Sequence, residues 1–202
     1  LHAGAQGTLG VITRVTLRVA PEPAMEITLG YALDAPAAIA HMVAVSALPG
    51  PLSGACWLEG TLYLRVSGAA AGVKDFRRRQ GGDLVSDSQP WRALDTLNSP
   101  PFEGATPLWR FSVAPSSPLS GELPDVIDWG GAQRFFTGGH DPATMHDAAR
   151  SVGGRAQLWR GGDRHSEVNG PLCSVERALQ QRLRHALDPD GIFNPGRVFS
   201  GQ

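Results

Sequence analysis

The stretch GACWLEGTLYLRVSG, residues 54–68, constrains the fold most. Two runs rich in apolar and β-branched residues flank the dipeptide Glu59-Gly60, and a two-residue break of this kind reads as a β-hairpin. Upstream, MEITLGYAL (25–33) reads as a strand and 34–48 as a helix, with Asp34 as its cap, Pro36 in the first turn, and Ile39, Met42, Val43 and Val45 as its apolar side. Downstream, 69–82 reads as a helix closed by Gly81, with DLVS as a short strand behind it. The hairpin therefore sits between two strand–helix units.

That order, β-α-β-β-α-β, is the split arrangement of a ferredoxin-like unit with an antiparallel sheet, and the fold class it gives is α+β. The segment 89–101 starts helical and stops before Pro100. PLWRFSVAP (107–115) reads as a strand, and 126–139 as two strands around Gly130-Gly131. Asp141 and Pro142 open a helix that ends at Gly153, and RAQLWRGG follows as a strand. Strand, strand, helix and strand thus extend the first sheet. The tail is predicted to be a helix capped by Ser174, with Leu172, Val175, Leu179, Leu183 and Leu187 as an apolar stripe. Asp188 to Gly191 forms a turn, Ile192 and Phe193 an apolar plug, and Asn194-Pro195-Gly196 a second turn.

Charge and cysteine content narrow the function. With 18 basic and 19 acidic residues among 202, the net charge of −1 lacks the basic excess that nucleic acid requires. Cys56 and Cys173 are too few for a disulfide framework or an iron–sulfur cluster, and both read as buried thiols. No run of about 18 apolar residues is long enough to span a membrane. The histidines His2, His41, His140, His146, His165 and His185 show no metal-ligand spacing, so no metal site is expected.

The opening HAGAQGTLGVITRVTLRV places glycines at positions 4, 7 and 10, like a nucleotide-holding loop. A dinucleotide fingerprint needs a strand before the glycines and a helix after them; here an alternating segment, expected to be a half-buried strand over 11–20, follows. Spacing alone leaves either a tight turn entering a strand or a glycine main chain that approaches a ligand closely.

GAQGTLGVITRVTLRV resembles the last loop and strand of the FAD-binding domain of the vanillyl-alcohol-oxidase/PCMH family of FAD-linked oxidases. ALDPDGIFNPGRVF looks like the C-terminal helix and turn of the same family. The resemblance implies a ferredoxin-like cap domain flanked by the C-terminal pieces of a PCMH-type FAD-binding domain. The implied boundaries are 1–23 for the end of the FAD domain, 24–170 for the cap, and 171–202 for the return to the FAD domain. It further implies that the chain is the C-terminal part of a protein of about 350 residues.

Within the family, WRFSVAP (109–115) and GRAQLWRG (154–161) look most like the FAD-binding subunits of bacterial glycolate oxidases. The implied activity is FAD-dependent oxidation of glycolate, or another small 2-hydroxy acid, to the 2-oxo acid. Electrons would pass to an iron–sulfur subunit. The chain lacks the family's Gly-Asp-Gly-Asn stretch with a later Glu-His-Gly, so the glycolate centre is expected on an FAD-binding catalytic partner subunit, with a second FAD here. The alternatives are a non-catalytic scaffold and an independent FAD oxidase of another small substrate. The expected location is cytoplasmic, or peripheral at the inner membrane through partners.

By resemblance, the main chain of Gly7, Thr8, Leu9, Gly10, Val11 and Ile12 lines FAD, and Asn194 lies near the flavin. Arg110 and Arg160 each follow a tryptophan on a predicted strand, and a guanidinium binds a substrate carboxylate bidentately. Strand alternation offers the competing reading of core tryptophans and solvent-facing arginines. His165, between Arg164 and Glu167, is a candidate proton carrier.

Overall fold

A computed structural model describes residues 2–104, 106–163 and 168–196. The chain divides into two compact units, one of Pro21–Gly162 and one of Leu1–Ala20 with Asp163–Gln202.

The larger unit is built on one eight-stranded sheet. Its elements in chain order are β1 (Met25–Ala32), α1 (Ala35–Ser46), β2 (Leu52–Leu58), β3 (Thr61–Gly68), α2 (Ala70–Gln80), β4 (Asp83–Val85), α3 (Gln89–Thr96), β5 (Leu108–Ser112), β6 (Val126–Asp128), β7 (Gln133–Thr137), α4 (Pro142–Ser151) and β8 (Arg155–Arg160). The strand order is β4-β1-β3-β2-β6-β7-β5-β8, and every pairing is antiparallel. The first four strands form the ferredoxin-like half, and the remaining four continue the same sheet from β2 outward.

Local chemistry sets the element ends. Asp34 accepts a hydrogen bond from Ala37 N at 2.9 Å, and Asp141 from Thr144 N at 2.9 Å, so each aspartate satisfies a first-turn amide. Glu59 and Gly60 both hold positive φ, 50° and 76°, the hand that matches the twist of β2 and β3. Alternation then sorts the side chains. Leu62, Leu64 and Val66 pack with Leu29 of β1 against Ala38, Met42, Val73 and Phe76 of α1 and α2. Tyr63 joins a second cluster of Cys56, Leu58, Phe102, Leu108, Val126 and Phe135 with Ala93 of α3. Each large side chain so buried contributes about 1.5–3 kcal/mol. Arg134 on β7 is fully buried and donates to the carbonyls of Gly131, Pro118 and Ser117, which ties the turns on either side of β6 together.

In the smaller unit, α5 (Ser174–Leu187) is capped by Cys173 and not by Ser174. The Cys173 sulfur accepts from Glu176 N at 3.5 Å, and the Glu176 carboxylate accepts from Cys173 N at 3.2 Å, a capping box made with a thiol. Cys173 is accordingly exposed, whereas Cys56 is buried as expected. Residues 10–23 form no strand. Alternation selects a face, but a strand also needs a ladder partner, and none of the described residues supplies one; Val11, Val15, Leu17 and Val19 stand exposed. The α5 stripe is likewise open at Val175 and Leu179, and Ile192 is exposed, not a plug. Among the described residues no helix is long and apolar enough to cross a membrane.

Candidate functional site

In the smaller unit, Asn194 meets the glycine loop at Gln6 and Gly7. The loop is a series of tight turns: Thr8 N donates to Ala5 O at 3.0 Å, and the Thr8 hydroxyl donates to the same carbonyl at 2.7 Å. Thr8 and Leu9 are buried. Gln6 and Gly7 hold positive φ, 51° and 72°. Asn194, itself at φ 43°, donates from Nδ2 to Gln6 O at 3.2 Å and Gly7 O at 3.3 Å. A Cβ on Gly7 would lie 2.8 Å from that amide nitrogen, so position 7 has room only for glycine.

Asp188 places Asn194. Its carboxylate accepts from Ile192 N and Phe193 N, each at 2.9 Å, and folds the turn back on the end of α5. The Phe193 N–H holds the Asp188 carboxyl below its ordinary value, with the Ile192 N–H and Arg184 acting in the same sense.

The structure therefore brings together Asn194 and Gly7, two of the residues expected at FAD. Thr8 and Leu9 turn their side chains inward, which leaves the main chain as the surface a ligand can meet. Gly10, Val11 and Ile12 follow without secondary structure and without a ladder partner among the described residues, with the Val11 and Ile12 side chains exposed. Among the described residues the main-chain amides and carbonyls of this stretch have no backbone hydrogen-bond partner, which leaves them open beside a glycine turn.

In the larger unit the two candidate arginines differ. Arg110 on β5 pairs across the sheet with Gln157 of β8. Its Nη2 donates to Gln157 Oε1 at 2.7 Å, and its guanidinium carbon lies 4.0 Å from the Trp159 ring centroid. The partner tryptophan is thus Trp159 across the ladder, and not Trp109, the sequence neighbour. Trp109 is buried on the opposite face, edge-on to His146 at 5.5 Å between centroids. Among the described residues the buried Arg110 Nε has no hydrogen-bond partner, and burial lowers the guanidinium from its ordinary value. Arg160 is tied into the protein: Nη1 donates to Leu97 O at 2.6 Å and Asn98 Oδ1 at 2.9 Å, and Nη2 to Phe102 O at 2.8 Å. His165 lies outside the described residues.

Sequence reading missed Gln157 and Asp188. Gln157 shows only through the β5–β8 register. Asp188 had a local signal, an aspartate just after a helix and before Pro-Asp-Gly, but its acceptors' work on residues 192 and 193 depends on the turn's closure.

No protein-family model matches the chain. The chain is 34% identical over 202 residues, 99% of its length, to glycolate oxidase subunit GlcE of Escherichia coli, and it spans 56% of the length of that protein.

Proposed function

We propose that this chain is part of an FAD-binding subunit of a glycolate-oxidising complex, in which glycolate becomes glyoxylate and an iron–sulfur subunit receives the electrons. The observation that carries this reading is the Asn194–Gly7 junction, where residues 187 apart in sequence close one glycine turn. The 34% identity to a glycolate oxidase subunit supports the substrate class. We assign residues 1–23 and 171–202 to the FAD domain and 24–170 to the cap.

When bound, FAD supplies a hydride acceptor. Gly7 and the main chain of Gly10, Val11 and Ile12 would hold it, and Asn194 keeps that loop in shape. Arg110, stacked on Trp159, has donors beyond the one that meets Gln157, the chemistry that takes a carboxylate, while the glycolate centre itself is assigned to an FAD-binding catalytic partner subunit. Arg160 serves as a strut for the 97–102 turn.

The test uses the full-length subunit. Denaturation should release about one FAD per chain, and Asn194→Ala should lower that content. A subunit that purifies with no FAD and takes none up refutes the proposal and leaves the scaffold reading.

A further inference from the structure

A second polar cleft lies on the larger unit, apart from the groups discussed so far. β2 pairs with β6 only through Trp57–Ile127 and Leu58–Val126, so the first half of β2 is paired to β3 alone. There a cleft of about 410 Å³ is lined chiefly by Arg65, Trp91, Asp95, Asp128 and Trp129. That is the size of a small-molecule pocket.

The cleft is built and not accidental. Arg65 lies opposite Gly54 in the β2–β3 register, and the missing side chain makes room for Trp91; a Cβ on Gly54 would come within 3.2 Å of the indole. Trp91 Nε1 donates to Thr28 Oγ1 at 2.9 Å, which fixes the ring. The Arg65 guanidinium carbon stands 4.8 Å from the ring centroid. Its Nε is buried without a hydrogen bond, and among the described residues the guanidinium forms no hydrogen bond or ion pair. On the other wall, burial raises the Asp128 carboxyl; the Trp129 N–H and Arg65 draw it back in part, and Asp95 adds to the rise. Trp129 holds φ 52°, uncommon for a bulky residue, and stands 70% exposed at the rim.

Opposite charges thus share one cleft without touching. A simple anion would meet Asp95 and Asp128 as well as Arg65, and a simple cation would meet Arg65. A molecule carrying both charges satisfies both walls: its carboxylate takes the open donors of Arg65, and its cationic nitrogen restores the ionised form of Asp128 beside the indoles. We infer that this cleft binds a small zwitterion, a carboxylate with a cationic nitrogen a few bonds away. The inference is independent of the FAD reading.

The test is titration calorimetry of the full-length subunit with glycine, β-alanine and 4-aminobutyrate, which separate the two charges progressively. Acetate and methylammonium serve as half-ligands. One zwitterion should bind at least about ten-fold tighter than either half-ligand. Arg65→Met and Asp128→Asn should each weaken it about ten-fold or more. Trp129→Ala, at an exposed rim position, should weaken it several-fold. Half-ligands that bind as well as the zwitterions overturn the inference. So does the absence of saturable binding by all three, or undiminished affinity in all three variants.

Discussion

Replacing Arg160 with methionine separates its role from that of Arg110. Arg160 donates three hydrogen bonds into the 97–102 turn, to Leu97 O, Asn98 Oδ1 and Phe102 O. Methionine keeps most of the side-chain stem and removes all three. A bond from a charged donor is worth about 1.5–3 kcal/mol when buried, but the freed carbonyls here are partly reachable by water, so about 1 kcal/mol each is the fair value. The expected loss is about 3 kcal/mol. With a urea slope of about 2 kcal/mol/M, the unfolding midpoint should fall by about 1.5 M. Arg160→Lys should recover only part of the loss, because an ammonium cannot reproduce the planar fork. Arg110→Met, which forfeits one hydrogen bond and a stacked ring, should cost about 1.5 kcal/mol, roughly half the loss at Arg160. Urea titration followed by far-ultraviolet circular dichroism decides between them. If Arg160→Met leaves the midpoint within about 0.3 M of the parent, the assignment of Arg160 as a strut is wrong.

Two further outcomes follow from the described geometry. Asp188 is held low when folded, so its contribution is complete above the unfolded value of about 3.9 and disappears as pH falls through the lower folded value. The amide resonances of Ile192 and Phe193 should therefore titrate with a midpoint below about 3.9, and that transition should be absent in Asp188→Asn. Gly131 holds φ 105°, and a Cβ there would lie 2.7 Å from Pro115 O. Gly131→Ala should cost about 1–3 kcal/mol and lower Tm by about 5 °C, whereas Gly139→Ala, with open space around it, should melt like the parent.

The ferredoxin-like half was legible because each of its signals is local. Asp34 and Pro36 mark a helix start, Glu59-Gly60 a hairpin and Gly81 a helix end, and each needs only its immediate neighbours to act. The segment 11–20 alternates as a strand would, but alternation alone does not make a ladder, and no described strand lies beside it. The α5 cap was misplaced by one residue because a cysteine thiol took the role usually given to a hydroxyl. The candidate arginines could be named from sequence but not ranked. Which tryptophan faces Arg110, and which carbonyls occupy Arg160, depend on the β5–β8 register and on a turn some 60 residues away. The left-handed Trp129 had no sequence signal, since bulky residues are not expected there.

The Asn194–Gly7 junction also sets an order of events in folding. Joining segments 187 residues apart in an otherwise unstructured chain carries a loop-closure entropy of roughly 5 kcal/mol, far more than two neutral hydrogen bonds return. The insert between them has its own sheet and core, so its collapse shortens the effective loop before the junction must close. The glycine turn, synthesised before the insert, accordingly reaches its final form after it, and a lesion in the insert's core should delay the turn's formation without touching any residue in it.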